Sequence, residues 1–257
     1  MTLIENYFPN LDIATFAKSL KELSQLPEHS VISGFETIKI PEGCPIKIPS
    51  SCKTVYEKNI FLKENYVQLG EEDSLPNRYW LIQKWGGIGG FKNSEKNKKL
   101  LELGGQFEQD LASGTLNKES FEVISSLFKV ASFIKPKEYA IYDSRAIYAL
   151  NWLLFKYTSA TKFFPQPKGR SSALAQYDLH TIFNLSDRKI SYVAAPDAYH
   201  AYCELLKKLS PVIYGEDKSE PYRAEMLLFT LATSFIVKKD GSGDIKNTLA
   251  LSKKTKY

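Results

Sequence analysis

Residues 129–152 read KVASFIKPKEYAIYDSRAIYALNW, and this stretch decides the fold. Its first residues finish a helix that Asn117 can cap, with Phe121, Ile124, Leu127, Phe128 and Ala131 on one face. Pro136 ends that helix, because a proline pushes the residue before it out of the helical region. Tyr139–Tyr142 is then a short extended apolar piece, and a second helix is predicted from Ser144, striped by Ile147, Leu150, Leu153 and Leu154. Asp143 stands where a helix cap belongs, a role in which aspartate contributes about 1 kcal/mol. Capping alone accounts for a carboxylate there. Its neighbours Lys135, Lys137 and Arg145 also make it a candidate chemical group.

Outward from this stretch the pattern stays helical on both sides. Ser94–Leu111 is a polar amphipathic segment, and Ala198–Leu209 and Pro221–Phe235 are two later helices, the second with proline in its favoured first turn. Residues 159–192 are mixed loop and short elements. Before Ser94, YWLIQKW runs into the glycine-rich WGGIGGFK at 85–92. Glycines there can expose consecutive amides to a phosphate, which makes Gly87, Gly89 and Lys92 candidate contacts. The same glycines equally serve a tight connection between lobes. Neither the Walker A pattern nor the dinucleotide fingerprint is met. Leu11–Leu23 is a helix with Asn10 as a possible cap, whereas Val31–Gln68 reads as β-rich pieces broken by PEGCPIKIPSSC. The expectation is a mainly α (α+β) fold: an irregular or β-containing N-terminal lobe at 1–80, a helical core at 81–236 and a basic flexible tail at 237–257.

Composition narrows the classes. With 43% hydrophobic, 13% aromatic and 25% charged residues in 257, the chain can bury a sizeable core and is neither disordered nor fibrous. No apolar run is long enough to cross a bilayer, and MTLIENYFPNLD lacks the features of a secretory leader. Three cysteines at 44, 52 and 203 form neither a disulfide framework nor a zinc spacing, so a reducing, cytoplasmic setting without metal is expected. The histidines at 29, 180 and 200 match no metalloprotease or hydrolase motif. The net charge of +5 is unevenly placed. Residues 81–174 carry 14 basic against 8 acidic side chains and 237–257 carry 6 against 2, while 1–80 carry 8 against 11 and 175–236 carry 6 against 8. A polyanion is a plausible partner for the middle of the chain.

Three segments together resemble a known family: WGGIGG at 85–90, residues 129–152, and more weakly PYRAEMLLF at 221–229. They are similar to the helix-hairpin-helix DNA glycosylases, most of all the bacterial proteins of the 8-oxoguanine glycosylase fold. The resemblance implies that Asp143 is the catalytic carboxylate, stabilising the sugar cation as the N-glycosidic bond breaks and directing a water to it. It implies double-stranded DNA as partner, with Lys129, Lys135 and Arg145 as phosphate contacts, and a pocket for the flipped base formed by Trp85, Tyr142, Trp152 and Glu225. No cofactor, iron–sulfur cluster, membrane or protein partner is implied. The segment Glu122–Phe128, where the family has a glycine-containing hairpin, has no glycine, and Lys129 does not clearly match the lysine of bifunctional members. Monofunctional base removal, in repair or against phage DNA with modified bases, is therefore the expectation. A DNA-binding protein that keeps the fold without catalysis is the alternative, and nucleotide binding at the glycine run is a third.

Overall fold

The computed structural model describes residues 1–36, 38–72, 74–168, 172–238 and 243–246. The described chain is mainly helical. Its helices are α1 (Leu3–Tyr7), α2 (Ile13–Ser24), α3 (Val31–Phe35), α4 (Val55–Asn65), α5 (Leu75–Trp80), α6 (Glu95–Leu101), α7 (Gln106–Ser113), α8 (Lys118–Glu122), α9 (Ile124–Ile134) and α10 (Ser144–Tyr157). After β1 (Lys162–Phe163) come α11 (Ser172–Ala175), α12 (Leu179–Asn184), β2 (Ser191–Tyr192), α13 (Ala195–Tyr214) and α14 (Pro221–Leu231). The two strands pair in parallel, Lys162 opposite Ser191 and Phe163 opposite Tyr192. They lie in the region read as mixed. Among the described residues none of 1–80 is a strand, which corrects the expectation of a β-containing lobe there.

The first correction has a local cause. Thr54 and Glu57 form a capping box in which Glu57 N donates to Thr54 Oγ1 at 3.0 Å and Thr54 N donates to the Glu57 carboxylate at 2.9 Å. That starts α4 inside the stretch read as β-rich. The helix lacks an apolar stripe because the face it buries carries Asn59 and Lys63, spaced i, i+4. Elsewhere the helix starts follow side-chain chemistry. Asp12, not Asn10, caps α2 by accepting from Thr15 N at 3.0 Å. Gly104 and Gly105 split the predicted Ser94–Leu111 helix into α6 and α7, with Gly104 at φ +70°.

One hydrophobic core runs from Ile4 to Ile245. α10 lies inside it, with every residue from Ser144 to Leu154 buried except Arg145. α14 packs against both α10 and α13, α1 and α2 pack on α13, and α4 packs on α9. Residues 1–80 are thus seated on the helical core and share its interior. Residues 239–242 and 247–257, most of the expected flexible tail, lie outside the described residues. Just before the second gap, Asp244 is held by Trp152 Nε1 at 2.8 Å and by Lys156, and Ile245 is buried. Among the described residues no helix is long and apolar enough to cross a membrane.

Candidate active site

A cavity of about 80 Å³ sits where α3, α4, α9, α14 and the start of α10 converge. Its polar wall is Asn59, Lys63, Lys129, Asp143, Arg145 and Glu225; its apolar wall includes Phe35, Ile38, Trp85, Met226 and Phe229. Gly86, Lys129, Asp143 and Arg145 also line an open groove of about 610 Å³, bounded by Ile88, residues 122–126 and Lys168. These four residues are common to the walls of the cavity and the groove.

Asp143 has extended backbone angles (φ −87°, ψ 147°) and caps α10, its Oδ1 accepting from Arg145 N at 2.8 Å. Arg145 Nε stands 3.6 Å from the same oxygen, and its guanidinium lies 3.7 Å from the centre of the Phe229 ring. The predicted cap and the predicted chemical group are therefore one side chain in one conformation. Its carboxylate lies at the wall shared by cavity and groove while its hydrogen bonds hold it in place.

Two lysines are buried around it. Lys63 Nζ donates to Ser132 Oγ at 2.9 Å and lies over the Phe133 ring, 4.4 Å from its centre. Burial pulls the Lys63 ammonium down to about 8, against the opposing charge of Glu225. Lys129 is 5% exposed, and its ammonium makes no hydrogen bond or ion pair among the described residues. Burial lowers its ammonium too, while Asp143 and Glu225 oppose that shift. Its stem runs over Gly86, where an added Cβ would sit 2.4 Å from Lys129 Cδ and 2.8 Å from the Ile82 carbonyl oxygen. That close approach requires glycine. A π-turn, residues 81–85, delivers the chain to this point, with Gly86 N donating to Leu81 O at 2.9 Å.

Glu225 of α14 is 3% exposed, and its carboxyl makes no hydrogen bond or ion pair among the described residues. Burial pushes its carboxyl up, Asp143 adds to the rise, and Lys63, Lys129 and Arg145 oppose it. Trp85 presents its ring to the cavity and donates from Nε1 to Asn59 Oδ1 at 2.7 Å. Asn59 Nδ2 in turn donates to the Ile38 and Val55 carbonyls at 3.0 and 2.8 Å. Asn59 therefore locks the aromatic wall to the N-terminal segment. Asn59→Ala should destabilise the protein by about 1–3 kcal/mol, the cost of leaving buried polar groups unpaired. Urea unfolding checks this, and the loss should shrink in a Trp85→Phe background, where one of those groups is gone.

The structure brings together Trp85, Lys129, Asp143, Arg145 and Glu225. It does not bring in Tyr142 and Trp152. Tyr142 is fully buried, donating to Pro165 O at 2.8 Å and packed edge-on against Tyr202. Trp152 is fully buried and committed to Asp244. Both correct the expected pocket: Trp152 is on the inward face of α10, and Tyr142, in the extended piece before it, is packed into the same core. Lys129, an expected phosphate contact, lines both the cavity and the groove. Lys135 and Lys92 are exposed and line neither the cavity nor the groove. Gly87 has φ +67°, and a Cβ at Gly87 or Gly89 would meet nothing within 4 Å. The glycine that the site needs is Gly86.

None of the three histidines lines the cavity: His29 lies 3.2 Å from the Leu23 carbonyl oxygen, His180 pairs with Tyr192, and His200 packs on Tyr139 and Tyr199. Among the described residues no cluster of three His, Cys, Asp or Glu side chains is placed to hold a metal ion. The site residues that the sequence reading missed, Asn59 and Lys63 above all, come from the segment read as β-rich. The capping box at Thr54 and Glu57 was the signal for their helix. No protein-family model, curated protein or solved structure matches the chain.

Proposed function

We propose that this chain is a DNA glycosylase that receives a damaged or modified base where the cavity and the groove share a wall, hydrolyses its N-glycosidic bond and leaves an abasic site. The observation that carries the reading is the place of Asp143, fixed at the head of α10 in the wall shared by the cavity and the groove. A duplex in the groove can present one nucleotide at a time to that wall, which is how chemistry on a stacked base becomes possible. The sugar of that nucleotide then lies beside Asp143. As the bond to the base lengthens, positive charge develops at the anomeric carbon, and a fixed carboxylate in a site shielded from water stabilises it strongly. Trp85 offers the base a stacking face, and Arg145 sits where a flanking phosphate would pass. The basic surplus of residues 81–174 supplies attraction to the duplex.

The test is incubation of the purified protein with duplexes carrying uracil, hypoxanthine, 8-oxoguanine, 7-methylguanine, 5-hydroxymethylcytosine or glucosylated 5-hydroxymethylcytosine. Alkali-sensitive sites at the modified position are the expected product. Salt-dependent binding to every duplex with no such sites on any of them indicates a non-catalytic DNA-binding protein.

The environment of Lys129 favours a second reading of the nucleophile. An unpaired, desolvated amine beside Asp143 is suited to attack a carbon centre directly, as buried lysines do in imine-forming enzymes. With water as the nucleophile, borohydride added during turnover leaves protein and DNA separable on a denaturing gel. A covalent adduct that disappears in Lys129→Met assigns the attack to the amine instead.

A further inference from the structure

Two carboxylates line the same cavity, and their surroundings differ in kind. Asp143 has partners for its carboxylate: Oδ1 accepts from a backbone amide at 2.8 Å, and the Arg145 guanidinium stands 3.6 Å from the same oxygen. Glu225 is more deeply buried, and its carboxyl makes no hydrogen bond or ion pair among the described residues. A desolvated carboxyl without hydrogen bonds to its charge favours its protonated form, which suits Glu225 to a role that the partnered Asp143 does not fill. The hydrolysis proposed above needs both roles. A carboxylate must face the sugar, and the departing base must take a proton to leave as a neutral molecule.

We infer that Glu225 is the general acid of the site, donating its carboxyl proton to the base as it departs. This rests on the glycosylase reading. The bond from C1′ to the base nitrogen breaks with its electron pair moving to the base, and the Glu225 proton goes to the base. Water adds to C1′ and gives a proton to Asp143. Protonation of Glu225 and loss of the proton from Asp143, both by exchange with solvent through the groove, reset the site. No oxidant, metal or co-reactant is needed.

Every charged or titratable group facing Glu225 bears on its protonation. Lys63 from α4, Lys129 from α9 and Arg145 from α10 favour the carboxylate; Asp143 at the head of α10, and Tyr202 and Cys203 of α13 when ionised, oppose it. Burial outweighs the cations and places the carboxyl at about 7. The active form is the acid, so it is present below that value and is lost as the pH rises through it.

The experiment is single-turnover base release from the same six duplexes, from about pH 5 to about pH 9, by wild type, Glu225→Gln, Glu225→Asp and Asp143→Asn. On neutral bases the wild-type rate should fall with rising pH above neutrality, by about tenfold per pH unit. Glu225→Gln should be about a hundredfold slower at pH 6 and should lack that falling limb, while Glu225→Asp should recover the limb in part. Glu225→Gln should slow release of 7-methylguanine, a cationic base that leaves neutral without a proton, by at least about tenfold less than it slows release of a neutral base. Asp143→Asn should be slow on both kinds of base. Glu225→Gln that binds duplex as wild type does, yet keeps the falling limb on a neutral base, overturns the assignment and leaves the glycosylase reading standing. Failure of the wild type to release any of the six bases overturns both.

Discussion

Asp143→Asn should lower base release by about a hundredfold or more, the loss typical of a group that stabilises developing charge or transfers a proton at the reacting centre. The substitution separates two roles that this residue combines. Asparagine caps a helix as well as aspartate does, so the bond to Arg145 N and the start of α10 should survive. The negative charge at the shared wall is lost, and with it the attraction to a cationic sugar. Stability should accordingly change by no more than about 1 kcal/mol, and duplex binding should hold. A variant that folds, binds and fails to release the base identifies a chemical role for the charge. Equal rates in variant and wild type would reduce Asp143 to a cap.

Trp152→Ala should cost about 3–5 kcal/mol of stability, the range for truncating a large buried aromatic. The ring is fully buried and stacks on Phe155, 5.9 Å between centres. Its Nε1 holds Asp244, so the truncation also loosens the one described piece of chain beyond residue 242. Trp152→Phe keeps most of the ring and removes only the donor, and Lys156 remains as a partner for Asp244. Its loss should be about 1–2 kcal/mol, in line with one hydrogen bond to a charged group. Denaturant titration of the three proteins gives both values. If Trp152 instead lined the pocket, truncation would change which bases are released and leave the unfolding midpoint nearly unmoved.

Tyr142 and Trp152 show where a sequence stops being informative. Both stand close to Asp143 in the chain, and aromatic side chains are what a base pocket needs, yet adjacency in sequence says nothing about which way a side chain faces in the folded core. Position 143 was legible because capping fixes a side chain relative to its helix from local bonds alone. The helices flanking it were legible for a similar reason, since the stripes of Leu150 and Leu154 or of Leu127 and Ala131 repeat at the helical period. α4 was not, because the same rule fails where a buried face is polar. Asn59 and Lys63 face inward to build a site, and a pattern that counts apolar residues scores such a helix as irregular. That mismatch between burial and polarity is the mark of function rather than of stability. It also gives residues 1–80, whose role composition left open, a place in the site: they carry Phe35, Ile38, Asn59 and Lys63 to its wall.

The glycine run has a comparable lesson. Four glycines drew the reading toward exposed amides and a phosphate, but the close contact belongs to Gly86 and the stem of Lys129. The loop serves the buried lysine first. Which glycine mattered depended on what lay across the fold from it, 43 residues further along the chain.

The central claim is that the site breaks an N-glycosidic bond. Mass spectrometry of single-turnover mixtures, enzyme in excess over each of the six modified duplexes, tests it most directly. The account predicts one free base released per modified strand from at least one duplex, with an abasic site left in its place and the release sharply reduced in Asp143→Asn. Duplex bound by the protein, with every modified base still attached to its strand, would contradict it.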